Sequence, residues 1–199
     1  MTDFLMNPFP STFRQTLREF YNIADWQPTT GAYLKSHGID DELVLAHAGT
    51  AALLPCSFDG AGYFYFAEGG EPCLVFEVLD EDAATTIDLC AFSVADPARF
   101  GTADGRSPVL GMTNVTNPAS WAFGDLLPIQ HTPLEWLRSG CRGVVILDYR
   151  GAREAVGKAL GKLLATDEDH ARQLNELLCT PLVDPRNIIF KTSARKVAA

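Results

Sequence analysis

Four apolar, aromatic-rich runs crowd into residues 51–94, with little but turn residues between them. Residues 51–58 and 61–67 are joined by Asp59-Gly60, a pair suited to the left-handed positions of a tight hairpin turn. Glu68-Gly69-Gly70 then turns the chain into residues 73–79, where Cys73, Val75, Glu77 and Leu79 alternate with Leu74, Phe76 and Val78. The acidic turn Asp80-Glu81-Asp82 leads to a fourth run, residues 85–94. Strands joined by such short turns pair antiparallel, because a parallel pair needs a crossover of a dozen or more residues. The expected fold is α+β: an antiparallel sheet of four to five strands, a meander, with helices packed on one face.

Helices are expected on both sides of this sheet in sequence. Phe13, Leu17, Phe20, Tyr21 and Ala24 share one face of a first helix, and a second over residues 30–37 stops at Gly38, a good left-handed cap. Residues 43–48 suit a helix or a strand. Thr132-Pro133-Leu134-Glu135 is a capping box with proline at the first helical position, opening a helix that stops at Gly140. A buried strand follows at residues 143–148. Helices are then expected at 152–165 and 167–179, the second capped by Thr166 with Asp169, and a short strand at 187–190.

The 199 residues suit one domain, which would bury roughly 70% of its unfolded surface and needs no covalent staples. Its parts are residues 1–48 (N-terminal helices), 50–94 (antiparallel meander), 95–130 (a long loop), 131–190 (helix-strand-helix-helix) and 191–199 (a frayed tail). The five cysteines are odd in number, widely spaced and without a C-x-x-C pair, which fits free core thiols. The first ten residues lack the basic flank of a signal peptide, and no apolar run approaches the ~20 residues of a membrane helix. A cytoplasmic protein with no membrane partner is the expectation.

Charge divides the chain. Residues 36–98 hold twelve acids and no lysine or arginine, whereas residues 99–199 hold thirteen basic residues and ten acids. The acidic half points to a basic protein partner or a metal and disfavours direct nucleic-acid binding through that half, where phosphates are repelled.

Candidate chemistry starts with the carboxylates around the acidic turn. Asp80, Asp82 and Asp88, with Glu77, are oxygen donors near strand ends, a setting that suits a hard cation. Asp80-Glu81-Asp82 resembles the D-x-D that holds Mg²⁺ in topoisomerase-primase (Toprim) domains. That family also requires a glutamate on an earlier strand with a helix between, and Glu68 precedes Asp80 by only a hairpin. Gly151 to Lys158 misses the phosphate-loop spacing and lacks the Ser or Thr after lysine. No pair among His37, His47, His131 and His170 has zinc-site spacing, and His170 reads as an outward residue on a polar helix surface. His131, just before a capped helix and beside the long loop, is the histidine to look for in a cleft. No cofactor fingerprint is found, and no catalytic residue is assigned.

The segment Asp88-Leu89-Cys90-Ala91-Phe92 and the longer run from Thr132-Pro133-Leu134-Glu135-Trp136-Leu137-Arg138 through Gly143-Val144-Val145-Ile146-Leu147-Asp148 resemble proteins of bacterial prophages and mobile elements. The resemblance implies a context and no catalytic residues. The expected role is that of a phage- or mobile-element-derived accessory protein that presents its acidic surface to a basic partner. The alternative is a metal-dependent hydrolase or nuclease using Asp80, Asp82 and Asp88.

Overall fold

The computed structural model describes residues 11–24, 28–121, 126–159 and 161–179. Three helices open the chain: α1 (Ser11–Ile23), α2 (Pro28–Ser36) and α3 (Asp41–Ala48). Residues 43–48 are thus helical, and the Asp40 carboxylate caps them by accepting from the Glu42 N–H. Five strands follow, β1 (Ala51–Phe58), β2 (Phe64–Phe66), β3 (Glu71–Leu79), β4 (Thr86–Ser93) and β5 (Phe100–Thr102). They form the expected antiparallel sheet, in the order β2-β1-β3-β4-β5.

That order corrects the strict meander in one place. β3 pairs with β1, not with β2, so the glycine turn after β2 carries the chain across to β1's far edge. Gly70 makes the crossing possible, since a Cβ there would fall 2.5 Å from the Cys56 carbonyl oxygen. The sheet also curls. Tyr63 bridges Thr102, which brings its two edges together.

Both faces of this sheet are covered. Leu74, Phe76, Val78, Cys90 and Phe92 pack on Leu34 and Val44 of α2 and α3. The alternate residues Cys73, Val75, Leu89 and Ala91 pack on Phe20 of α1. The period-2 pattern of β3 and β4 therefore stabilises two cores, and burying each large side chain contributes about 1.5–3 kcal/mol.

The stretch read as a long loop, residues 95–130, contains β5, β6 (Val109–Leu110), α4 (Met112–Thr116), a single 3₁₀ turn and β7 (Leu127–Gln130). Beyond it come α5 (Pro133–Arg138), β8 (Val144–Ile146), α6 (Tyr149–Gly157), β9 (Leu163–Leu164) and α7 (Glu168–Cys179). Residues 152–165 are not one helix. α6 stops at Gly157, and Leu163-Leu164 belong to a strand. A second sheet results, in the order β6-β8-β7-β9, where β7 runs parallel to both β8 and β9. Trp136 and Leu137 of α5 join the first sheet's core on one face, and α4, α6 and α7 enclose a separate core on the other. The strand expected at residues 187–190 and the tail lie outside the described residues.

Candidate site at the parallel strand ends

β7, β8 and β9 are parallel, so their carboxyl ends open on one side of the second sheet. Such ends are where open α/β sheets gather functional groups. The residues there are Gln130 and His131 after β7, Asp148 after β8, and Thr166 and Asp167 after β9.

His131 is held by the helix that follows it. Thr132 caps α5 by accepting from the Glu135 N–H at 3.2 Å, and the Glu135 carboxylate accepts from the His131 N–H at 2.9 Å. Thr132 makes its half of the expected capping box, but Glu135 reaches one residue further back, to His131 and not to the Thr132 N–H, and so fixes the strand-end backbone. Asp167, not Thr166, caps α7: its Oδ1 accepts from the His170 N–H at 2.8 Å. That bond, with the nearby His131 ring, holds the Asp167 carboxyl below the ordinary range. The other Asp167 oxygen lies 3.7 Å from His131 Nε2.

His170 corrects the sequence reading. It is buried, with 4% of its surface exposed, and its ring stacks on His131 at 3.9 Å between centroids and 28° between planes. Its Nδ1 accepts from the Thr166 N–H at 3.2 Å. Burial and the adjacent His131 push its pKa down, against the pull of Asp167 and Glu135. A cleft of about 120 Å³, lined in part by Gln130, His131, Tyr149 and Phe100, opens beside the pair. His131 does line a cleft, as its sequence position suggested.

The three acids singled out in the sequence stand elsewhere. Asp80 and Asp82 organise their own turn, where both accept from the Ala84 N–H. Asp88 is fully buried on β4 and accepts from the N–H groups of Leu89, Asp104 and Arg106 at 2.8, 3.0 and 2.7 Å. Burial pushes its carboxyl up, against those amides. Glu77 is also buried, where it accepts from Thr50 N–H, Thr86 Oγ1 and the Tyr21 hydroxyl. Two more acids of the first half pair with cations of the second, Glu71 with Arg99 and Glu81 with Lys158.

The chain folds as a DnaG primase catalytic core does. It superposes on the structure of the DnaG catalytic core with a TM-score of 0.55 at 15% identity, covering 83% of this chain and 65% of that one. It superposes on the DnaG primase catalytic domain bound to single-stranded DNA with a TM-score of 0.53 at 14% identity, covering 84% of this chain and 70% of that one. The chain thus spans less than two thirds of the first. No family model and no curated protein matches it.

Among the described residues no three His, Cys, Asp or Glu side chains could hold a metal ion. Nδ1 of His170 is already an acceptor for the Thr166 N–H. Asp169 is turned to Arg172 at 2.8 Å. No helix among the described residues is long and apolar enough to cross a membrane.

Proposed function

We propose that this chain is a primase-type domain that binds single-stranded nucleic acid without the metal-assisted chemistry of its strand-end centre. His131 carries the reading. In the Toprim layout a glutamate ends an early strand and faces a D-x-D reached through an intervening helix. Here β7 and β9 supply those strand ends and Asp167-Glu168-Asp169 supplies the D-x-D, but a histidine stands in the glutamate's place. A neutral imidazole adds no negative charge to offset a divalent cation, and a protonated one repels it.

Two observations support nucleic acid as the ligand. One structural neighbour is a primase domain bound to single-stranded DNA. The second half of this chain also carries the excess of basic residues, with Arg138, Arg142, Arg150 and Lys162 exposed around the second sheet. The acidic first half would face away from phosphates.

Fluorescence anisotropy with a labelled single-stranded oligonucleotide tests the proposal. The expected result is binding that weakens steeply between about 50 and about 200 mM salt and is unchanged by EDTA. No cleavage or primer synthesis is expected with Mg²⁺ or Mn²⁺. Failure to bind at low salt overturns the ligand. Metal-dependent strand cleavage that Asp167→Asn abolishes overturns the loss of chemistry.

A further inference from the structure

We propose that His170 is a proton-operated latch on the corner where β7, β9 and α7 meet. The latch goes beyond the nucleic-acid reading and stands without it.

The corner is built around one neutral imidazole. Nδ1 of His170 accepts from the Thr166 N–H, and the Thr166 hydroxyl donates to the Ile129 carbonyl of β7 at 3.4 Å. The backbone N–H of His170 donates to Asp167, and the Ala171 N–H donates to the Asp167 carbonyl at 3.0 Å, closing the first turn of α7. One side chain therefore ties the end of β9 to the start of α7, one hydrogen bond away from β7.

A proton on Nδ1 reverses this arrangement. The acceptor becomes a donor that faces the Thr166 N–H, which loses its partner, and the new proton is left with the Thr166 hydroxyl at 3.3 Å. The new charge also lies in a buried ring stacked on His131 at 3.9 Å. The titratable groups that face His170 are His131 at the end of β7, Glu135 on α5 and Asp167 at the start of α7, with Tyr149 of α6 across the cleft. Asp167 and Glu135 favour the proton, whereas burial and His131 oppose it more strongly. The depressed pKa of His170 means that its neutral form stabilises the fold fully above the ordinary histidine value. That contribution is lost as pH falls from about 6.5 through the lowered value. Asp167, held below the ordinary carboxylate range, keeps its charge throughout this window.

Hydrogen exchange of the full chain, normalised to intrinsic rates, reads the latch directly. Between about pH 7.5 and about pH 5.5 the protection of residues 163–171 is expected to fall by up to about tenfold, with β3 and β4 unchanged. His170→Asn places an amide oxygen where Nδ1 accepts and cannot titrate, so its protection should be equal at both pH values. His131→Gln removes the neighbouring ring that opposes the proton, so His170 lies closer to its ordinary value and the loss of protection at about pH 5.5 should be smaller than in wild type. Wild-type protection that survives acid, or an Asn variant that loses as much as wild type, overturns the latch. So does a His131→Gln variant that loses as much protection as wild type or more, a readout that holds even if the Asn variant does not fold. All of these measurements are made without nucleic acid, so their outcome is separate from the binding test above.

Discussion

Gly143→Ala should unfold the chain far more readily than an alanine at another left-handed glycine. Gly143 sits between α5 and β8 with φ +77°, and a Cβ built there would lie 2.1 Å from the carbonyl oxygen of Pro128 in β7. That obstacle is backbone and cannot swing aside. The Gly143 carbonyl also accepts from Trp136 Nε1 at 3.1 Å and from Asn114 Nδ2 at 2.9 Å, so the residue cannot retreat without breaking both bonds. The left-handed conformation costs about 1–2 kcal/mol for alanine. Forcing a methyl into a packed site costs about 1–3 kcal/mol more. The expected loss is about 2–5 kcal/mol, a large share of the ~5–15 kcal/mol that holds a domain folded. Gly38 supplies the control. Its φ is +71°, and nothing lies within 4 Å of where an alanine methyl would stand, so Gly38→Ala should lose only the conformational part, about 1–2 kcal/mol. Urea denaturation of both variants, read by circular dichroism, measures the difference as a midpoint shift. Equal losses would refute the close parallel packing of β7 against the α5–β8 turn.

Three more results are expected. Tyr21→Phe should lose about 1–2 kcal/mol in urea denaturation, because its hydroxyl donates to the buried Glu77. Burial and that bond raise the Tyr21 phenol from 10.0 to about 12, so this stabilisation is intact below pH 10 and is lost as pH rises towards 12. Burial also raises Tyr33 and Tyr149, so phenolate absorbance should show one fewer late-ionising tyrosine in Tyr21→Phe than in wild type. Asp88→Asn should cost about 1–3 kcal/mol, since one amide oxygen cannot accept from the Leu89, Asp104 and Arg106 N–H groups together. The midpoint of thermal unfolding checks it. Trp136→Ala should cost about 3–5 kcal/mol, because Trp136 of α5 is 1% exposed and stacks on Phe76 of β3. Its urea midpoint should fall accordingly.

The sequence made some of this legible and hid the rest for physical reasons. The first sheet was readable because its signals are local: alternation along β3 and β4, Asp59-Gly60 at the hairpin, and the capping box that opens α5. Strand order is not local, and nothing in residues 67–73 says that β3 returns beside β1. Within the second sheet β8 was readable as the buried strand at residues 143–148, but its partners escaped because β6 and β9 have two residues each and β7 has four, too few for a period. Leu163 was misread for a related reason, since it falls in step with Ala152, Val156 and Ala159 on a continued helix. Asp167 follows a strand and caps a helix, and only the helix start was visible. The apolar Leu163-Leu164-Ala165 before Thr166-Asp167-Glu168-Asp169 was the available signal for a D-x-D at a strand end. Nothing local marked His170 as buried, because its neighbours Glu168, Asp169, Ala171 and Arg172 are all exposed and the partner ring of His131 stacks on it.

Calorimetric titration of Mn²⁺ into wild type and into His131→Glu asks most directly whether a histidine has replaced the metal-binding acid at the strand ends. The wild-type chain should give no saturable heat. His131→Glu should bind the ion, and adding Asp167→Asn to it should remove that binding. Saturable Mn²⁺ binding by the wild-type chain, abolished by Asp167→Asn, would show that the strand ends still hold a metal and that the replacement has not silenced them.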